Sequence, residues 1–194
     1  MMQFALPVHV GPLNPPIPTN DLSKWRDHMV EMAISFMKQE GRFDAILLGV
    51  GNPTRPDGTN GQSMLSIPLN EMCETHEKKD ALVAALPGLL EEMRCSMYII
   101  VLDTFYAEPT PEAAEQYMRT GEMPKDVRRK EALMFVSEDV TGASWHALYR
   151  YDRDEHGAVR DIQLVTDLGG DGAQMTGRFT NLLRPRHRAP VAEA

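Results

Sequence analysis

The sequence predicts a single α/β domain with an α+β tendency, in which helices pack on one mixed sheet and the chain ends in a three-stranded antiparallel meander. Three observations predict this class. Short apolar runs bounded by turn residues indicate strands buried on both faces. Segments with apolar residues at helical spacing alternate with those runs up to about residue 120. From Lys130 onwards, strand-like runs separated by glycine-ended turns replace the helices.

Length and composition agree with one folded domain. The chain has 194 residues, 42% hydrophobic and 25% charged, which is enough to bury a core without disulfides or metals. Its formal charge of -8 argues against whole-surface binding of nucleic acid or anionic membranes. Cys73 and Cys95 form no CxxC pattern, and neither a signal-like start nor a membrane-spanning apolar run occurs. We therefore expect a cytoplasmic protein.

The first elements are an arm and a helix. Residues 1–20 contain five prolines and form either a flexible leader or an arm that docks on this subunit or a neighbour. A helix capped by Asn20 or Asp21 runs to Gly41, because apolar residues recur at helical spacing. This stripe predicts core packing: Leu22, Trp25, Met29, Met32, Ala33, Phe36 and Met37.

Two strands and a second helix come next. Residues 43–50 are short and apolar, which predicts a central strand. The segment SMLSIPLN predicts a second strand, confined by Pro68 to an edge or a strand end. The segment HEKKDALVAALPGLLEEMRC is helical in pattern, and we expect Pro87 and Gly88 to kink it or split it in two.

The second half of the chain predicts more strands. Residues 96–108 form a second buried strand, followed by a short helix capped by Thr110. The meander is predicted at 132–137, 143–151 and 159–166. An apolar anchor then closes a globular domain of residues 21–183: Phe179, Leu182 and Leu183. Residues 184–194 remain as a basic and flexible tail.

The loop in ILLGVGNPTRPDGTNGQSM follows a buried strand, as phosphate-binding loops do. However, no lysine lies between Gly49 and Ser63, the third glycine of a dinucleotide fingerprint is missing, and two prolines occupy the place of a helix start. Loops of this length are uncommon in compact domains unless they are functional or mobile. We interpret it as a turn-built partner contact that uses four side chains: Asn52, Arg55, Asp57 and Asn60.

Other patterns give no catalytic signature. Asp103 closes a buried strand, where it is more readily a turn or cap residue than a general base. The six histidines have no metal-ligand spacing, and neither cysteine has a nucleophile context. We therefore predict no catalytic residue, no metal and no cofactor.

A basic cluster near the C-terminus is the clearest local departure from the acidic average: Arg184, Arg186 and Arg188. It is typical of a solvated face or of a patch that contacts an acidic partner, rather than of a surface that stacks nucleic-acid bases. The sequence thus favours a non-catalytic accessory protein that binds another macromolecule, a protein rather than nucleic acid or membrane, through its arm, long loop or basic tail. Self-association through the arm stays open. The alternative is a small-molecule-binding protein or enzyme with a pocket at the strand ends near Asn52 and Asp103.

Overall fold

The structure is a computed structural model that describes residues 8–12, 22–54, 58–70, 72, 74–107, 110–120, 129–170 and 182–183. Three helices and seven strands lie within them, in the order β1 His9–Pro12, α1 Leu22–Glu40, β2 Ile46–Gly51, β3 Ser63–Pro68, α2 His76–Glu92, β4 Met97–Ala107, α3 Pro111–Thr120, β5 Arg129–Asp139, β6 Ser144–Arg153 and β7 Val159–Gly170. The strands form one sheet in the order β1-β3-β2-β4-β5-β6-β7.

This architecture confirms the predicted single sheet with helices packed on it and the closing meander of β5, β6 and β7. One feature differs from the expected mixed sheet, because every described pairing is antiparallel. The strands β2 and β4 are buried on both faces, as strands of parallel sheets usually are, because a helix covers each face. Apolar runs alone therefore do not reveal strand direction.

Helix α1 packs on one face of the sheet. It buries Trp25, Met29, Ala33 and Met37 against alternate residues of β2, β4, β5 and β6. The predicted stripe is therefore confirmed in most of its length. Met32 and Phe36, at the edge of the stripe, are 44% and 47% exposed.

Helix α2 covers the opposite face, where its buried side is Leu82, Leu86 and Leu90. The helix is continuous from His76 to Glu92, so Pro87 and Gly88 do not split it. Thr75 caps its first turn, because the Thr75 hydroxyl accepts a hydrogen bond from the Lys78 N–H at 3.1 Å.

Strand β1 ties part of the proline-rich arm to this subunit. His9 to Pro12 pair with Ser63 to Ser66 of β3, so β3 lies inside the sheet and Pro68 stands at its end. Pro68 therefore lies at a strand end, which is one of the two positions that the sequence predicted for it, an edge or a strand end. Among the described residues, no helix is long and apolar enough to cross a membrane.

Strands β4 and β5 are longer than their neighbours. They pair over eleven residues each, from Met97 with Asp139 to Ala107 with Arg129. The pairing of β4 with β2 ends at Val101, and that of β5 with β6 ends at Ala132. Residues 105–107 and 129–131 therefore extend beyond the rest of the described sheet as a two-stranded ribbon.

Candidate contact site

The loop between β2 and β3 is a hairpin connection. Because these strands are antiparallel neighbours, the chain leaves Gly51 and returns at Ser63, directly opposite. A further bridge joins Thr54 to Asn60, and the Thr54 hydroxyl donates a hydrogen bond to Asn60 Oδ1 at 3.0 Å. The two sides of the hairpin thus stay in contact beyond the sheet as far as Thr54 and Asn60. Arg55 and Asp57 lie outside the described residues.

Arg94 fixes this hairpin to the corner between α2 and β4. Its guanidinium donates to Asn60 Oδ1 at 3.3 Å. Arg94 itself has φ 49, in the left-handed region. The Arg94 N–H bonds Glu91 O and the Cys95 N–H bonds Leu90 O, which is the hydrogen-bond pattern of a Schellman helix end with Arg94 at the position that glycine usually takes.

Gly51 lets the hairpin approach the same corner closely. The Asn52 N–H donates to Met93 O at 3.1 Å, and a Cβ added at Gly51 would lie 2.5 Å from that oxygen. A side chain at position 51 would therefore displace backbone. This glycine serves close packing, and in the described part of the β2–β3 connection, 52–54 and 58–62, no helix begins that could hold a phosphate.

The C-terminal anchor reaches the same end of the sheet. Leu182 and Leu183 are buried, as predicted, and line a small cavity together with Leu90 and Cys95. Phe179, the third residue of the predicted anchor, lies outside the described residues. Arg94 directly precedes Cys95, so Leu182 and Leu183 lie close to the residue that fixes the hairpin. Arg184, Arg186 and Arg188, which the sequence singles out in that tail, lie outside the described residues.

A buried carboxylate holds this anchor, and sequence patterns gave no sign of it. Glu138 is 7% exposed and accepts hydrogen bonds from the Tyr98 hydroxyl at 2.7 Å and from the Leu182 N–H at 3.1 Å. Burial, and then the charge of Glu138, raise the pKa of Tyr98 far above its usual range. Tyr98 therefore stays a hydrogen-bond donor.

Asp103 lies at the other end of the sheet from Asn52. Val50 pairs with Met97, which places Asn52 beside residue 95 and about 25 Å along β4 from Asp103, at roughly 3.3 Å per residue. The two residues therefore do not line one pocket. The expected shared pocket was wrong because β2 and β4 are antiparallel. The C-terminal end of β2 therefore lies beside the N-terminal end of β4, far from Asp103. Asp103 also lies inside β4, which runs on to Ala107.

The Asp103 carboxylate is bound internally. It accepts hydrogen bonds from the Tyr151 hydroxyl at 2.5 Å and from the Phe43 backbone N–H. Burial raises the pKa of Asp103, and burial together with the neighbouring carboxylate raises the pKa of Tyr151. Both groups therefore hold the connection between α1 and β2 against the sheet.

Arg153 completes this internal cluster. It pairs with Glu131 at 3.1 Å, donates to Gly41 O at 2.5 Å and stacks over the Tyr151 ring at 5.2 Å. The cluster thus fixes the end of α1 by satisfied polar contacts. It offers no unpaired carboxylate or free base at the positions that the structure describes.

Metal-ligating side chains do not converge in the described parts of the chain, where no group of three histidine, cysteine, aspartate or glutamate residues comes together. His146 on β6 is half-buried, its Nε2 atom has no hydrogen-bond partner within these parts, and burial lowers its pKa. It stands beside Val136 and Leu168 in the ladder. An apolar setting of this kind favours the neutral imidazole.

Comparison of the chain with protein-family models, with curated proteins and with solved structures found no match in any of the three.

Proposed function

We propose that this protein is a non-catalytic interaction protein, and that it binds another protein through one end of its sheet. This contact site consists of the β2–β3 hairpin with Asn52 and Asn60, the clamping residue Arg94, and the basic tail that follows Leu183. The observation that carries the proposal is the identity and conformation of Arg94.

A left-handed conformation costs a residue with a side chain roughly 1–2 kcal/mol, and glycine avoids this cost. At the Schellman position that follows α2, glycine would serve the fold better than arginine does. Arginine at this position orients the hairpin through Asn60 and leaves its remaining guanidinium donors at the surface, where Arg94 is exposed. Backbone strain that the fold does not require is typical of functional positions.

The arginines at this end favour an acidic partner surface, although the exposed Glu91 and Glu92 lie beside Arg94. The chain as a whole carries -8, whereas this end holds Arg94 and the sequence continues from Leu183 with Arg184, Arg186 and Arg188. Planar guanidinium groups bind carboxylates through two parallel hydrogen bonds, and arginine is enriched among the residues that dominate protein interfaces. Arg55 and Asp57, which lie between Thr54 and Asn60 in the sequence, belong to the same proposed surface.

The test is affinity capture from a lysate of the source organism, with the immobilised full chain and quantitative mass spectrometry. We compare the natural chain with Arg94→Gly, with a chain lacking residues 184–194, and with the control Arg150→Ser. The control removes a matched arginine–amide contact, because Arg150 donates to Gln163 at 2.7 Å on β6 and β7, away from the hairpin. Arg94→Gly relieves backbone strain, so a loss of binding would not report misfolding.

We expect specific partners to be depleted at least about tenfold by Arg94→Gly or by the truncation, in line with the energy carried by a central interface arginine. The control should retain them, and added salt should weaken the capture. The proposal is wrong if all four chains capture the same proteins equally, or if the natural chain captures none above the level of beads alone.

A further inference from the structure

One asparagine of this chain precedes a glycine, and it lies in the β2–β3 hairpin as Asn60. The backbone nitrogen of the following residue can attack an asparagine side chain, and glycine permits this attack best because it is unhindered and turns freely. The other five asparagines precede proline, aspartate, glutamate or leucine: Asn14, Asn20, Asn52, Asn70 and Asn181.

The Asn60 side chain is held through its oxygen. Oδ1 accepts a hydrogen bond from the Thr54 hydroxyl at 3.0 Å and another from the Arg94 guanidinium at 3.3 Å. Because a guanidinium only donates hydrogen bonds, the atom that faces Arg94 is the amide oxygen and not the amide nitrogen. Both donors stand where negative charge develops when a nucleophile adds to Cγ, so they activate this carbon.

Solvent reaches this side chain, and the backbone around it can open. Asn60 is exposed, as is Arg94 beside it. The bridge between Thr54 and Asn60 is isolated from the strand ladders, so local opening that brings the Gly61 nitrogen to Cγ requires far less free energy than unfolding. Gly61 lies outside the left-handed region, unlike Gly58 with φ 80, so the backbone at position 61 does not itself require glycine.

We infer that Asn60 is a site of spontaneous deamidation through a cyclic imide. The Gly61 backbone nitrogen loses its proton to solvent base and bonds to Asn60 Cγ. The bond from Cγ to Nδ2 then breaks, and ammonia leaves with a proton from solvent. Water adds to one of the two imide carbonyl carbons and breaks the bond from that carbon to the Gly61 nitrogen. Opening at Cγ gives aspartate, and opening at the backbone carbon gives isoaspartate.

Both products place a carboxylate beside Arg94. In the aspartate form the hydrogen bond from Arg94 to a neutral amide becomes an ion pair, which is the stronger interaction. The isoaspartate form lengthens the backbone by one methylene group and disturbs the bridge to Thr54. The contact site therefore gains a negative charge, which weakens binding of an acidic partner. This effect on binding rests on the proposed function, whereas the deamidation does not.

The first test is peptide mass spectrometry of the full chain after incubation in neutral and in alkaline buffer. The peptide that contains Asn60 should gain the mass that separates a hydroxyl from an amino group, faster than peptides with the other asparagines. The gain should be faster in alkaline buffer, because the attacking nitrogen must lose its proton. Fragmentation should place aspartate and isoaspartate at residue 60, and it separates them from isoaspartate at Asp57, which forms before Gly58 without a gain in mass.

A pair of valine variants tests the role of Gly61. Gly61→Val should slow the mass gain at residue 60 at least about tenfold, because a β-branched side chain restricts the backbone and shields the nitrogen. The matched control is Gly11→Val on β1, where an added Cβ meets nothing within 4 Å, and it should leave the rate unchanged. The inference is overturned if Asn60 gains mass no faster than the other asparagines, if both variants gain it equally fast, or if aspartate forms without isoaspartate.

The second test separates the modification from its effect on binding. In the affinity capture, Asn60→Asp should retain at least about threefold less of the specific partners than the control Asn60→Gln, which keeps a neutral amide. If the natural chain deamidates at Asn60 and the two variants capture the partners equally, the modification is confirmed and the acidic-partner surface of the proposed function is wrong.

Discussion

Replacing Arg94 by glycine tests whether the conformation of this residue is retained for contact and not for folding. At φ 49, a residue with a side chain destabilises the folded state by roughly 1–2 kcal/mol. Glycine removes this cost, but it also makes the unfolded chain more flexible, which offsets part of the gain in stability. The lost hydrogen bond to Asn60 is exposed and 3.3 Å long, so its net contribution is at most about 1 kcal/mol. The expected change is therefore a gain in unfolding free energy of about 0 to 1 kcal/mol.

The assay is thermal and urea unfolding, followed by circular dichroism. For a chain of this length 1 kcal/mol moves Tm by about 2–4 °C, so Arg94→Gly should unfold at the natural temperature or up to about 4 °C above it. Arg94→Ala is the matched control, because it loses the same hydrogen bond and keeps the left-handed backbone with a Cβ. It should be about 1 kcal/mol less stable than Arg94→Gly.

A loss of more than about 1 kcal/mol in Arg94→Gly would refute this reasoning, because it would mean that the arginine side chain stabilises the fold by more than an exposed hydrogen bond can. Equal stability of the glycine and alanine variants would likewise show that the left-handed conformation is not a cost. Hydrogen exchange at the hairpin amides gives an independent measurement. Exchange should become faster between residues 52 and 62 in both variants, since both release Asn60.

Three further predictions concern the packing and the buried polar groups. Gly51→Ala should lower the free energy of unfolding in urea by about 1–3 kcal/mol, because its Cβ would lie 2.5 Å from Met93 O. The control Gly88→Ala, at an exposed position of α2, should raise it by about 0.5–1 kcal/mol. Asp103 binds its proton more tightly in the folded chain than in the unfolded chain, so the stability that Asp103 contributes is present at low pH and falls as pH rises through its raised pKa. Asp103→Asn should remove this fall. The prediction is contradicted if urea unfolding at a series of pH values shows the same dependence of unfolding free energy on pH for the natural chain and the variant. Tyr98→Phe should lower the free energy of unfolding by about 1–3 kcal/mol and speed proteolysis after Leu183, because the buried Glu138 loses its hydrogen-bond donor at 2.7 Å. Unchanged unfolding and cleavage would exclude Glu138 as the anchor of this segment.

Much of the fold follows from patterns local to the sequence. Helix α1 was predictable because its apolar residues repeat at helical spacing, and the meander because glycine-ended turns separate its strands. The anchor at Leu182 and Leu183 was predictable as a short apolar group in a polar segment. The direction of β4 relative to β2 was not, because buried strands are apolar on both faces in either orientation.

The candidate site was predictable only in part. Asn52 and Asn60 stood out because they lie in a long loop of turn-forming residues after a buried strand. Arg94 did not stand out, since a single arginine after a helix is ordinary in sequence, and only its φ of 49 and its bond to Asn60 distinguish it. Glu138 was hidden for the same reason, because its partners Tyr98 and Leu182 are distant in sequence.

The sequence by itself determined the class of the fold, the identity of most helices and strands, and the absence of nucleotide-binding fingerprints from the loop between β2 and β3. These properties depend on spacing and on backbone preference, which act between neighbours in the chain. The tertiary structure alone decided that Asn52 and Asp103 lie at opposite ends of the sheet and that Arg94 contacts Asn60. Those relations join residues far apart in the chain, and they exist only once antiparallel pairing has set the register of the whole sheet.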